Sequence, residues 1–141
     1  GYPGEARSLT DRFFRFSAGS DQRKEWHELF AEGDAGTPLA WEAAGPYGPA
    51  LECVRKGPSA SNKQPWRILR EGNAFHFFLA RTPGYDRMLK GIPLQNVDMG
   101  IAMCHFELAG RELGLAGRWS VRVPGMPPGG REYIATWTTD G

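Results

Sequence analysis

The segment Gly57-Pro58-Ser59-Ala60-Ser61-Asn62-Lys63-Gln64-Pro65-Trp66 most constrains what this chain can fold into. An apolar helix pattern stops before it and a strand-like alternation starts after it, so the segment must join a helix to a strand. Pro58 and Pro65 restrict the backbone near its two ends. Between them lie Ser59, Ser61, Asn62, Lys63 and Gln64. Small polar side chains offer hydroxyl and amide groups and let a ligand approach the main chain closely. A solvated connection with no ligand has a similar composition, so composition alone leaves both readings open.

The elements around this loop follow from periodicity. Ser8 to Ser17 reads as a short helix, with Ser8 as cap and Leu9, Phe13 and Phe16 on one face. A second helical piece follows Asp21 and carries Trp26, Leu29 and Phe30; Glu32 to Gly36 reads as a linker. Thr37-Pro38 is a helix-start signal. Tyr47, Ala50, Leu51 and Val54 stand at i, i+3, i+4 and i+7, an amphipathic helix with Arg55 and Lys56 in its last turn. Trp66 to Arg70 and Phe75 to Leu79 form a hairpin about the turn Glu71-Gly72-Asn73. Residues 82–96 read as an irregular lobe with one short helical turn. Val97 to Leu113 is the longest helix, apolar almost all round in its first half and therefore expected to be buried on more than one side. Its second half is expected to turn Leu108 and Leu113 inward, and Gly114 to cap it. Trp119 to Val123 and Tyr133 to Thr138 are strands about a 124–130 loop that carries Met126. The sum is an α+β class with a mainly antiparallel sheet, packed with helices around a long buried core helix.

Composition excludes several function classes. The chain has 141 residues and a net charge of +1, so no basic stripe argues for nucleic acid. The longest apolar run, Val97 to Cys104, is broken by Asp98 and is far too short to span a bilayer. Cys53 and Cys104 both fall in apolar helical patterns, which suits buried, reduced thiols in a cytoplasmic protein. Met88, Met99, Met103 and Met126 read as packing residues. The chain opens without methionine, and Gly1-Tyr2-Pro3 reads as a turn reached from an earlier strand, so a fragment is expected.

The order Pro-Ser-x-x-Asn-x-Gln-Pro-Trp resembles the flavin-binding loop of the nitroreductase family. Asn96 to Trp119, closed by Gly114, Leu115, Gly117 and Trp119, is similar to that family's long core helix and the segment after it. Residues 23–30, Arg-Lys-Glu-Trp-His-Glu-Leu-Phe, resemble the tail that follows the last core strand of such a unit. A tail-like element thus precedes a head-like one. The arrangement resembles a subfamily in which two units are fused into one pseudo-dimeric polypeptide, with residues 1–33 as the tail of a preceding unit and 34–141 as the second. The family opens with an Arg-Arg-Ser-x-Arg-like segment that grips the FMN phosphate, and nothing here matches it.

The resemblance implies an FMN-dependent oxidoreductase. FMN takes a hydride from NADH or NADPH and reduces a small-molecule acceptor such as a nitro compound, quinone or enone. Arg23 and Lys24 are the implied phosphate ligands. Ser59, Ser61 and Asn62 would hydrogen-bond the cofactor, Gln64 would reach the ring or hold the loop, and Pro58 would set the backbone. The same side chains serve equally to cap their own loop, and Arg23 and Lys24 to form a surface pair. Completion by a second copy or by a missing N-terminal half is implied, with no nucleic-acid or membrane partner. The competing function is a non-catalytic half-module that does not bind flavin alone. No metal site is expected: His27-Glu28 lacks a second histidine at zincin spacing, and Cys104-His105 point to different sides of one helix.

Overall fold

The computed structural model describes residues 21–88, 90–121 and 130–140. In chain order the elements are α1 (Trp26–Leu29), β1 (Phe30–Glu32), a 3-10 turn (Gly45–Tyr47), α2 (Gly48–Lys56), a second 3-10 turn (Ala60–Asn62), β2 (Trp66–Glu71), β3 (Ala74–Leu79), α3 (Tyr85–Met88), α4 (Leu94–Glu112), β4 (Gly117–Ser120) and β5 (Glu132–Thr139). The class is α+β. The sheet order is β1-β2-β3-β5-β4.

The hairpin forms where the alternation places it. Trp66 and Ile68 on β2 and Phe75, Phe77 and Leu79 on β3 are buried against the helices, and Gly72 takes the left-handed φ of +58° that the turn demands. α2 and its capping residue Tyr47 bury the four positions the period selects, Tyr47, Ala50, Leu51 and Val54, and Pro49 sits in the helix's first turn, where no N–H is needed. α4 packs against α2 and across β2 and β3. Phe106 is the centre of the core: its ring lies 5.4 Å from Tyr47, 5.2 Å from Phe75 and 5.3 Å from Phe77.

α4 ends as its sequence requires. Gly114 has φ +72°, its N–H bonds the Arg111 carbonyl, and the Leu115 N–H returns to the Gly110 carbonyl. At Gly117 a Cβ would lie 2.5 Å from the Trp137 indole, so only glycine lets β4 reach its partner there. Trp137 Nε1 then donates to the Tyr47 hydroxyl at 3.1 Å, and that hydroxyl donates to the Ala116 carbonyl at 3.2 Å.

The sheet is mainly antiparallel, as expected: three of its four strand pairs are antiparallel, and β1 runs parallel to β2 with α2 in the crossover. Several other expectations are corrected. Phe30 belongs to β1 rather than to the helix before it, because three residues are too few to show a period. Thr37-Pro38 starts no helix. The Thr37 hydroxyl bonds Asp34 Oδ2 within the turn, and Pro38 bridges to Ala31. α4 is covered on one side only, so Val97 is 58% exposed, Leu108 55% and Leu113 48%. Cys53 and Cys104 are exposed rather than buried, since both stand on outer helix faces. Met99 is buried and Met103 half-buried. The Ser8 to Ser17 helix, the Gly1-Tyr2-Pro3 turn, residues 122–123 of the fourth strand, Met126 and the Met88 side chain lie outside the described residues.

Candidate functional site

The 59–64 loop is built from a strained backbone held by side chains. Ser61, Asn62 and Gln64 all have left-handed φ, at 48°, 50° and 47°. Left-handed backbone costs a residue with a side chain about 1–2 kcal/mol, and such outliers concentrate where a ligand or switch requires them. Ser59 is extended and accepts the Gln64 N–H on its hydroxyl at 2.8 Å, closing the loop on itself.

Residues 22–24 lie along this loop. The Lys24 N–H donates to Gln64 Oε1 at 2.8 Å, and Asn62 Nδ2 donates to the Gln22 carbonyl at 2.7 Å. Arg23 Nη1 donates to Asn62 Oδ1 at 3.3 Å and its Nε to the Lys56 carbonyl at 3.3 Å. Arg23, Lys24, Ser59, Asn62 and Gln64 therefore meet in one network, although the two segments stand about forty positions apart. Ser61 joins through the Tyr85 hydroxyl, 2.8 Å from its own. Pro58 is exposed at the loop's start. Trp66 is fully buried at the loop's end, a core anchor.

Cations surround the loop. Lys63 Nζ lies 5.6 Å from the Tyr85 ring centroid. Arg55 Nη1 donates to the Lys24 carbonyl. Its other nitrogens grip Glu52 at 2.7 Å, which holds that carboxylate below its ordinary range. Arg67 donates to the Gln64 carbonyl at 3.0 Å and the Trp66 carbonyl at 2.6 Å. Burial, then the charge of Arg131, pushes the Arg67 guanidinium below its ordinary value. On the far side Asp98 of α4 is buried, and its Oδ1 accepts the Ala60 N–H at 2.9 Å. Burial raises this carboxyl and the Ala60 bond opposes the shift.

Sequence reasoning missed Asp98, Tyr85 and Arg67. The only available signal was a carboxylate interrupting an apolar run, which reads more simply as a limit on membrane insertion. An open groove of about 660 Å³ beside Glu25, Trp26, Trp41, Glu52 and Arg55 adjoins the 22–24 segment. A second cleft, of about 460 Å³, lies at the opposite end of β2, around Tyr47, Arg70 and Asn73. Among the described residues no group of three or more His, Cys, Asp or Glu side chains could hold a metal ion, and no helix is long and apolar enough to cross a membrane.

A protein-family model described as "Putative TM nitroreductase" matches residues 44–110. Over that stretch the chain is similar to the nitroreductase family. It runs from the first 3-10 turn through α2, the strained loop, the hairpin and most of α4. The nitroreductase assignment points to an oxidoreductase role and includes the loop, Tyr85 and Asp98, but not Arg23 or Lys24. No curated protein and no solved structure matches the chain significantly.

Proposed function

We propose that this chain is the flavin-loop portion of a cytoplasmic FMN-dependent oxidoreductase of nitroreductase type. The observation that carries the reading is the loop itself: left-handed Ser61, Asn62 and Gln64 held against a segment bearing Arg23 and Lys24. The residues suit a phosphorylated, planar ligand. Cationic side chains from two segments converge beside small polar groups, and charge-assisted bonds to phosphate are the strong ones. Arg23 and Lys24 would hold the phosphate. Ser59, Ser61 and Asn62 would bond the polyol chain or ring edge, and Gln64, fixed by Lys24, would keep the loop in register. Pro58 would limit the approach path. Bound FMN would pass reducing equivalents from NADH or NADPH to a nitro, quinone or enone-like acceptor. The protein's part is placement, on which hydride transfer depends most.

The same reading makes residues 1–33 the tail of a preceding unit and 34–141 a second unit, completed by another copy or an N-terminal half. α4 supports this. Val97, Ile101, Cys104 and Leu108 recur at spacings of four, three and four along its outer side, the seam of a helix pair. Gly100 beside them has nothing within 4 Å of a Cβ position, so a partner backbone could come close. Val97→Lys should lower the mass measured by light scattering toward that of one chain; an unchanged mass would remove α4 from the interface.

One observation favours the alternative, a half-module that binds no flavin alone. Ser59, Asn62 and Gln64 already spend hydrogen bonds inside the loop network. Titration decides. The purified chain should take up FMN, turn yellow and bleach on addition of NADPH or NADH. A chain that stays colourless with excess FMN, yet binds it when an N-terminal half is supplied, establishes the half-module. No uptake in either case ends the flavin reading.

A further inference from the structure

We propose that Asp98 is the positioning residue of the flavin loop: from α4 it fixes the conformation in which residues 59–64 receive the cofactor. This rests on the flavin reading above. Asp98 is only 2% exposed, and its carboxyl is half satisfied. Oδ1 accepts the Ala60 N–H at 2.9 Å, while Oδ2 is buried with no hydrogen-bond partner among the described residues. A buried, incompletely bonded carboxyl destabilises a fold. At a position inside the apolar face of α4, flanked by buried Met99 and Ala102, an aliphatic side chain would serve the core better.

What the carboxyl does is local. Ala60 opens the 3-10 turn, and the residues after it, Ser61 and Asn62, are the ones forced left-handed. Its N–H has no intrahelical acceptor, as at any helix start. Asp98 supplies one from a rigid helix. Tyr85 holds Ser61 from α3, and Ser59 holds Gln64 from within. The loop is pinned near its start, in its middle and at its end, and Asp98 provides the first pin. Removing it frees the turn to relax out of the left-handed region, and a site that must be held to within about half an ångström loses its ligand first.

The test uses the full chain and two readouts, FMN affinity by fluorescence titration and amide exchange by NMR. In Asp98→Ala, Ala60 N–H exchange should quicken at least tenfold while β3 amides keep their protection, and FMN should bind at least tenfold more weakly. Asp98→Asn should restore both, because its amide oxygen accepts the same bond. Ala60→Pro approaches from the other side. It deletes the N–H, and Ser59, extended at φ −145° and ψ 156°, already has the backbone that precedes proline. It should weaken FMN to a similar degree and cause no further loss in the Asp98→Ala background; if Asp98→Ala does not fold, Ala60→Pro alone carries the test. Wild-type affinity in Asp98→Ala or in Ala60→Pro, or an Asp98→Asn that behaves like Asp98→Ala, overturns the proposal. A wild-type chain that binds no FMN, either alone or with an N-terminal half supplied, removes the flavin reading instead, and the Ala60 exchange rates then decide whether the pin exists.

Discussion

β2 has a connection at each end, and the two are built on opposite terms. At its C-terminal end the chain turns through Gly72, whose φ of +58° costs a glycine nothing and whose Cβ position is open. At its N-terminal end the chain passes through Ser61, Asn62 and Gln64, left-handed with side chains in place. The turn's outside bonds, between Asn73 and Thr139, continue the pairing of β3 with β5. The loop is held by Asp98, Tyr85, Arg67 and the main chain of residues 22–24. A connection that needs only to reverse direction uses a residue suited to the geometry. One that keeps unsuited residues and recruits outside support is shaped for something besides folding.

The contrast can be broken outright at Trp66, where loop becomes strand. The side chain is fully buried, so Trp66→Ala should cost about 3–5 kcal/mol in urea unfolding, and both connections should lose amide protection together. Asn62→Ala tests the loop alone. It should weaken FMN about tenfold, equivalent to ~1.4 kcal/mol, with little change in the unfolding midpoint; unchanged affinity would deny Asn62 its role. A matched pair sharpens the comparison further. Gly72→Ala should cost about 1 kcal/mol of stability and leave FMN affinity alone. Ser61→Gly should leave stability within about 0.5 kcal/mol, as relief of left-handed strain offsets the lost Tyr85 bond, yet weaken FMN several-fold. If both variants move the same quantity, the two connections are not different in kind.

The smallest effect expected is with pH. Burial raises the Asp98 carboxyl, so between the ordinary carboxylate value, about 4, and its raised value the native state holds a proton that the unfolded chain has released. Stability from this group therefore falls as pH rises through that window. Unfolding curves from pH 4 upward should show the decline in the wild type and a flatter profile in Asp98→Asn. Equal slopes would mean that Asp98 titrates alike in both states.

Local pattern made part of this legible beforehand. The i, i+3, i+4, i+7 spacing of Tyr47, Ala50, Leu51 and Val54 located α2, and alternation about Gly72 located the hairpin, because in both cases neighbours in sequence are neighbours in space. β1 was hidden, since its three residues owe their strand form to a partner beyond α2. The outer side of α4 misled for a related reason: an apolar residue in a helix signals something to bury against, without saying whether this chain provides it. At the site, the family-like order of residues drew attention to Ser59, Asn62 and Gln64. What they bond was not readable, because Gln22 and Lys24 lie some forty positions away.

Val97 and Asp98 are consecutive on α4, one 58% exposed and the other 2%. The peptide bond between them joins the outer seam to the loop's first pin through a single rigid turn. Linkage then sets a strict rule for any protein assembled through that seam: whatever factor flavin adds to the tendency of two surfaces to join, their joining must add to the hold on flavin. Saturating the chain with FMN and watching its concentration-dependent mass would read out, from one helix, whether occupancy and assembly are a single equilibrium.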